Sequence, residues 1–509
     1  MISFFGIGRS LEFALNGDDW LALWRYIKDF TTFQSHFDIR NYSNDYSNYA
    51  FANIIMGLVY RVFSFNPFPY YLISLFLRII TALSFYFAVY SATKSKWAGY
   101  LSTIFFATMF AGIETTNWVF NMNTYLALTV FNIFIYFHLK IEYKKLSKIT
   151  VAMALLVLGC FFIAPTRMHG LLLILPLICL LKIKHLRKEG FDFIVRLSIF
   201  YLPIFVVRFI TRAANDKGYF ESFAQVREEK IDFFVNLFSS LGNSLVLDKT
   251  FINLFPSNLT RAIIVACFYF IITAFFYKNR VRFPKLVRFG LFSLAVTFSF
   301  MLVPHLINPL VALPTDHRYQ TIPGSYMLVT LAILYTILWQ YKNSFLRFLI
   351  ITISVLVISI NFFTLRDYFT ILAREGRLQK DVDNHFIYLL SQIEKPENRT
   401  PLAFLFIPDD ALYLYNVIAF GLPYHIILVD KRFSMDIQEA PFLTDNMKSL
   451  VDVLSGKESK ELRRYGYNPI EIPLENVYAF SLQNKNLINI TPEVRNYLKE
   501  NLPHLNKIE

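Results

Sequence analysis

From Phe68 to Thr364 the chain alternates long apolar blocks with short polar connections. The blocks fall at approximately 68–90, 98–113, 118–138, 148–164, 168–183, 191–210, 259–277, 287–312, 321–341 and 345–364. Runs of roughly 18 to 25 apolar residues match the helical length that crosses a bilayer's hydrocarbon core. Glu114-Thr-Thr-Asn117 and Pro165-Thr-Arg-Met-His169 are the narrow breaks within two nearly continuous pairs. Two further runs, Phe51–Phe65 with Arg61 and Ile231–Leu241, are amphipathic, the pattern of helices lying in the membrane interface. Thr364–Lys395 reads as a helix leaving the membrane. Beyond it a polar region holds short β-like runs at Leu402–Ile407, His425–Val429 and Val477–Leu482, set between Pro- and Asp-containing turns. The pattern predicts a polytopic α-helical membrane protein of about 10–11 spans with a small C-terminal α/β domain. Its divisions are a membrane domain over 1–365, with outer loops 18–66 and 211–258, and a linker helix plus α/β domain over 366–509.

Composition agrees. The 509 residues are 55% hydrophobic and 17% charged, against about a quarter charged in soluble domains. The net charge of +13 does not mark a nucleic-acid binder, because no aromatic-basic or zinc-type motif accompanies it. Instead Lys and Arg gather in alternate connections: Lys94 and Lys96; Lys140, Lys144, Lys145 and Lys148; Lys182, Lys184, Arg187 and Lys188; Lys278, Arg280, Arg282, Lys285 and Arg288; Lys342 and Arg347. Positive loops face the cytoplasm. Asp18, Asp19, Glu114, Arg167, His169 and Arg318 then lie on the outer side, with the C-terminal domain, in a multi-pass plasma (inner) membrane protein. Cys160, Cys179 and Cys267 all sit in apolar runs and form neither a disulfide framework nor a metal-type spacing. Residues 1–17 show no cleavable signal, since Arg9 and Glu12 interrupt the apolar core, and they supply less than a full first span.

Chemistry has few candidates in such a chain. Asn16-Gly17-Asp18-Asp19-Trp20 places adjacent carboxylates ahead of an interfacial segment. Paired acids in a low-dielectric site split their pKa values, which suits a general base for an acceptor hydroxyl or oxygen ligation of a divalent cation such as magnesium or manganese. The same residues also make a solvated helix cap. Glu114 in a tight outer turn beside Trp118 is either a second site carboxylate or a boundary residue. In Thr315-Asp316-His317-Arg318-Tyr319, Arg318 offers a planar fork to phosphate oxygens, or pairs with Asp316. Arg167 and His169 are further candidates for substrate contact. Arg78, mid-span, requires a carboxylate or backbone carbonyl inside the bundle. The 30 Tyr and 55 Phe fit interfacial belts and packing as well as sugar stacking.

These residues resemble a known superfamily, the GT-C glycosyltransferases, which include protein O-mannosyltransferases, the lipid A aminoarabinose transferase and the catalytic subunit of oligosaccharyltransferase. Asp18-Asp19-Trp20 resembles the acidic pair of the first outer loop. Tyr49–Tyr71 with Phe65-Asn66-Pro67 resembles the loop helix and second span. Asp316-His-Arg-Tyr319 before Pro323 is similar to a late Arg-Tyr-Pro pattern. Val477–Leu498, with Ile490-Thr-Pro-Glu-Val-Arg495, is similar to the C-terminal ends of bacterial members. The resemblance implies a GT-C-like bundle that moves a sugar from a polyprenyl-phosphate donor to a lipid, glycan or protein acceptor on the outer face, with inversion. It makes Asp18 the base, Asp19 its partner or metal contact, and Arg318, with Tyr319 beside it, the holder of the departing phosphate. Two other readings stand beside it: a transporter or flippase for a lipid-linked glycan, and a non-catalytic relative whose C-terminal domain binds an envelope component. No internal repeat of the transporter kind is present, and the candidate charges gather at one face.

Overall fold

The structure, a computed structural model, describes residues 8–15, 17–32, 35, 50–140, 148–182, 186–212, 230–244, 253–307, 317–341, 344–391, 402–407, 424–430, 442–455, 472–483 and 486–502. The chain is a polytopic helical membrane protein with a small C-terminal sheet. Among the described residues six helices are long and apolar enough to cross a membrane: Pro67–Thr93, Val119–Lys140, Asn258–Asn279, Pro284–Leu306, Arg318–Trp339 and Ser344–Arg374. Shorter apolar helices cover Phe51–Phe63, Lys148–Ile163, Leu171–Leu181 and Phe193–Leu202.

Boundaries follow local chemistry. Ser95 caps the helix Lys96–Thr108 by accepting from the Ala98 N–H, and Ser257 caps Asn258–Asn279 through Thr260 N–H. The block expected to run to residue 113 ends at Thr108, because Met109 turns extended and Gly112 takes φ +75°. The span 345–364 and the exit helix expected after it are one helix, Ser344–Ser391. No proline interrupts that stretch, so nothing in the backbone breaks its hydrogen-bond ladder.

Two compact units emerge. One comprises Met1–Ser10, Phe37–Ala52 and Tyr71–Phe369; the other comprises Leu11–His36, Asn53–Tyr70 and Thr370–Glu509. The first is the helical bundle. Its interior is aromatic and aliphatic, but it is also threaded by satisfied polar side chains. Tyr326 donates to Asn132 at 2.8 Å, Asn132 donates to Ser84 at 2.9 Å, and Thr81 meets Thr129 at 2.9 Å. Lys230–Gly242, read from sequence as an interfacial helix, packs Phe233, Leu237 and Leu241 into this core. Its polar side is engaged as well, with Ser239 accepting from Arg261 and Ser240 bonded to His305.

Arg78 is fully buried in this unit. Its guanidinium donates to the Met109 carbonyl at 2.7 Å and to Thr116 and Tyr125 hydroxyls, both at 3.2 Å. Of the two partners expected from its mid-span position, a carboxylate or a backbone carbonyl, the carbonyl is the one present. Helix Thr321–Trp339 clamps the other side of the same segment. The Thr321 hydroxyl lies 2.6 Å from that of Thr115 and 3.1 Å from the Gly112 carbonyl.

Among the described residues the second unit holds a four-stranded sheet, in the order Phe442–Thr444, Ala403–Ile407, Val477–Gln483, Asn486–Asn489. Central β1 (Ala403–Ile407) runs parallel to β2 (Phe442–Thr444) and β3 (Val477–Gln483), while β4 (Asn486–Asn489) pairs antiparallel with β3. Four of the five β1 residues are buried, the near-continuous apolar run of a strand with parallel neighbours. The Ile490–Arg495 stretch closes the sheet. Thr491 accepts from the Ala479 N–H at 3.0 Å, and Arg495 donates to the Val477 carbonyl at 2.9 Å. His425–Val429, expected as a strand, is helical over 424–429. A five-residue apolar run carries no period that separates the two states; here Tyr424 and His425 turn onto aromatic rings of the first helix of the unit.

Gly112 gives a direct test. A Cβ there would lie 2.3 Å from the Thr321 nitrogen, on a backbone of φ +75°. Gly112→Ala is expected to lower stability by about 2 kcal/mol, seen as a reduced thermal midpoint of the purified protein. An unchanged midpoint would show that this clamp is dispensable.

Candidate functional site

The bundle brings together Glu114, Arg167, His169, Arg318 and Tyr319. Arg78 and Thr321 fix the loop that bears Glu114, as described above. The turn Arg318–Gln320 is fixed from the opposite side: Gln320 is buried, donating to the Ser240 carbonyl at 3.1 Å and accepting from Ser244 at 3.0 Å. With both segments held, one Glu114 oxygen lies 3.3 Å from the Arg318 Nη1 and 3.3 Å from its backbone N–H. Arg318 thus pairs with Glu114; Asp316, the sequence alternative, lies outside the described residues. The Arg318 guanidinium also sits over the Trp118 ring, 4.7 Å from its centroid, a cation–π contact that fixes its plane.

Arg167 reaches the same place from the turn Pro165–Met168. It lies 3.9 Å over the Tyr319 ring and donates to Asn121 at 3.1 Å. It is only 7% exposed, and its Nη1 has no hydrogen-bond partner among the described residues. Arg167, His169, Arg318 and Tyr319 line one recess of about 10 Å³, room for about one water. His317 stacks on Tyr319 at 5.0 Å and accepts from its N–H. Burial, then the charges of Arg318 and Arg167, push its pKa down to about 3. It is therefore neutral at pH 7, and among the described residues the cluster holds two guanidiniums, Arg318 paired with Glu114 and Arg167 over Tyr319, to one carboxylate. That local excess of positive charge suits an anion.

Asp18 and Asp19 belong to the second unit. They open the helix Asp18–Asp29 directly after Gly17, whose φ of 47° and ψ of −116° is a conformation open to glycine. Asp19 is fully buried in the first turn, where the helix dipole favours a carboxylate. Tyr70 is within its electrostatic reach. Trp20 donates to the Leu15 carbonyl at 3.0 Å and stacks on His425 at 3.7 Å. Gly57 lets the next helix close on this one, since a Cβ there would fall 2.0 Å from the Tyr26 ring. The side chain of Asp18 lies outside the described residues. Among the described residues no group of three His, Cys, Asp or Glu side chains gathers, so the donors seen around Asp19 do not by themselves form a cation site.

Sequence reasoning passed over Trp118, His317, Asn121 and His425 as site components. For Trp118 and His317 the signal was adjacency to Glu114 and Arg318. For Asn121 and His425 there was none. A second cavity, of about 480 Å³, lies between helices Pro67–Thr93 and Asn123–Lys140, but its wall is almost wholly apolar, so it suits an acyl chain and offers no chemistry.

No family model and no curated protein matches the chain. Among solved structures it is similar to the oligosaccharyltransferase of Archaeoglobus fulgidus, crystallised as a complex with zinc and sulfate. The match covers 94% of this chain and 68% of that one, at 9% identity and a TM-score of 0.38. The likeness is distant, and the functional reading rests on the residues.

Two outcomes follow from this geometry. The Glu114–Arg318 pair is only about a fifth exposed on each side, so Glu114→Gln, which leaves Arg318 without its carboxylate, is expected to lower stability by about 1–3 kcal/mol, read by thermal unfolding. An unchanged midpoint would count against the pairing. His425 is 8% exposed, and burial lowers its pKa to about 3 from 6.5. The unfolded chain therefore binds the extra proton first, and stability is lost as pH falls from about 6.5 toward 3. His425→Asn is expected to lose less stability between pH 7 and pH 4.5 than the wild type; an equal loss would refute the assignment.

Proposed function

We propose that the protein is an inverting membrane glycosyltransferase that takes a sugar from a polyprenyl-phosphate donor. The observation that carries this reading is the Arg318–Arg167 cluster. Arg318 is held flat between Glu114 and Trp118, Arg167 is seated on Tyr319, and a neutral His317 lies beside them. The recess itself admits no more than a water-sized group. The cluster therefore offers its charge to a phosphate oxygen and is too small for the sugar.

In the reaction, Asp18 removes the proton from an acceptor hydroxyl. The hydroxyl oxygen then attacks the anomeric carbon from the face opposite the phosphate. The carbon–oxygen bond to phosphate breaks, and the phosphate leaves with the electron pair. Its growing charge is met by Arg318, with Arg167 beside it, and preorganised charge at a leaving group is a large catalytic contribution. His169 and Tyr319 complete the walls. Asp19, buried in the first helical turn, orients its neighbour. The loop charges support an outer-face site in a plasma membrane, with a lipid, glycan or protein as acceptor.

The test is transfer of labelled sugar from polyprenyl-phosphate donors by purified wild type, Asp18→Asn and Arg318→Ala. Wild-type transfer that falls by about a hundredfold or more in each variant, with both variants still folded, is the expected result. Unimpaired transfer by Asp18→Asn would remove the base. Donor binding without transfer in the wild type would leave the transporter or the non-catalytic relative.

A further inference from the structure

The basic end of the bundle contains a cavity that the proposed chemistry does not use. It has about 500 Å³ of space, within the range of small-molecule sites, roughly 300–1,000 Å³. Four helix ends meet there: Ser91 to Lys94, Leu139, Leu181, and Pro284 to Phe289. Its wall is apolar at Ala92, Leu139, Leu181 and Phe289, and it carries three cations, Lys94, Lys285 and Arg288. Arg288 is held in place by donating to the Leu181 carbonyl at 3.2 Å.

Lys94 adds an independent observation. It closes the helix Pro67–Thr93 through its N–H to Tyr90 at 2.8 Å, in the left-handed region at φ 61°. Glycine takes that conformation without cost and lysine does not, yet the cation stands there. The level in the membrane is also marked. Trp97 and Trp339 pair at 6.1 Å, with Arg347 over Trp339. Exposed Trp beside basic residues marks the headgroup region.

We propose that this cavity binds the headgroup of an anionic phospholipid from the leaflet facing the basic loops. The phosphate oxygens meet Lys94, Lys285 and Arg288, and the glycerol end of the acyl chains lies against Leu139 and Leu181. A negative headgroup complements three like charges around one cavity, and cationic pockets between spans are suited to such headgroups. The inference is independent of the glycosyltransferase reading.

The experiment uses the full chain in nanodiscs of phosphatidylcholine containing roughly a fifth phosphatidylglycerol. Native mass spectrometry then counts the lipids retained on release. Wild type is expected to retain phosphatidylglycerol in preference to phosphatidylcholine. Lys94→Gln, Lys285→Gln and Arg288→Gln should each lower that preference by about fivefold. Ala92→Leu keeps every charge and fills the cavity, so it should lower retention too, which covers the case of a charge variant that fails to fold. Neutralising Lys278, Arg280 and Arg282 at the same end, outside the cavity, should leave retention unchanged. Equal loss in that control would reduce the effect to general attraction and overturn the site. Inorganic phosphate or glycerol phosphate that competes at micromolar concentration would make the ligand a soluble phosphate and overturn the lipid assignment. No preference in the wild type would overturn both.

Discussion

A charged guanidinium buried in the middle of an apolar helix needs polar partners, and the bundle supplies them to both terminal nitrogens of Arg78. The carbonyl it needs is freed where the helix Lys96–Thr108 stops and Met109 turns extended. The hydroxyls it needs come from Thr116 and Tyr125, themselves 2.6 Å apart. Tyr71 donates to Asn117 at 2.9 Å, so the same loop is tied twice to one helix. Arg78 does no chemistry in the proposed reaction. It determines where Glu114 stands, and Glu114 determines the orientation of Arg318.

The rest of the bundle obeys the same accounting. Side chains that face outward along the spans are large and apolar, with Phe76, Phe87, Phe270, Phe348 and Val355 exposed. Some of their polar counterparts are buried and bonded between helices, as in the Tyr326–Asn132–Ser84 chain. In a medium without water each unmet donor or acceptor costs several kcal/mol. This explains why polar residues sit where a second helix can answer them.

Electrostatically, the cluster depends on a residue that carries no charge. Were His317 protonated, three cations would crowd one turn. Desolvation and its two arginine neighbours keep it neutral, so its ring can stack on Tyr319 and its Nδ1 can accept from the backbone. Two guanidiniums are thereby held near each other, each over an aromatic face, with Glu114 compensating part of their charge. A site prepared in this way needs little rearrangement when an anion arrives.

Hydrophobic block length is a one-dimensional property, and it determined the membrane class, the approximate spans and the requirement that Arg78 find a carboxylate or a carbonyl. The approach of Glu114 to Arg318 across about 200 residues of sequence could not be read that way, because it depends on Gly112 admitting Thr321 and on Arg78 anchoring the loop. The joining of the last span and the exit helix was hidden by a change from apolar to polar composition, which alters surroundings without breaking a backbone. His425–Val429 was ambiguous in sequence; in the fold it is helical, with His425 stacked on Trp20. Spacing along the chain sets which segments enter lipid. Which polar groups answer one another is set by packing, because in a bundle the partners come from different helices and only the folded structure brings them within 3 Å.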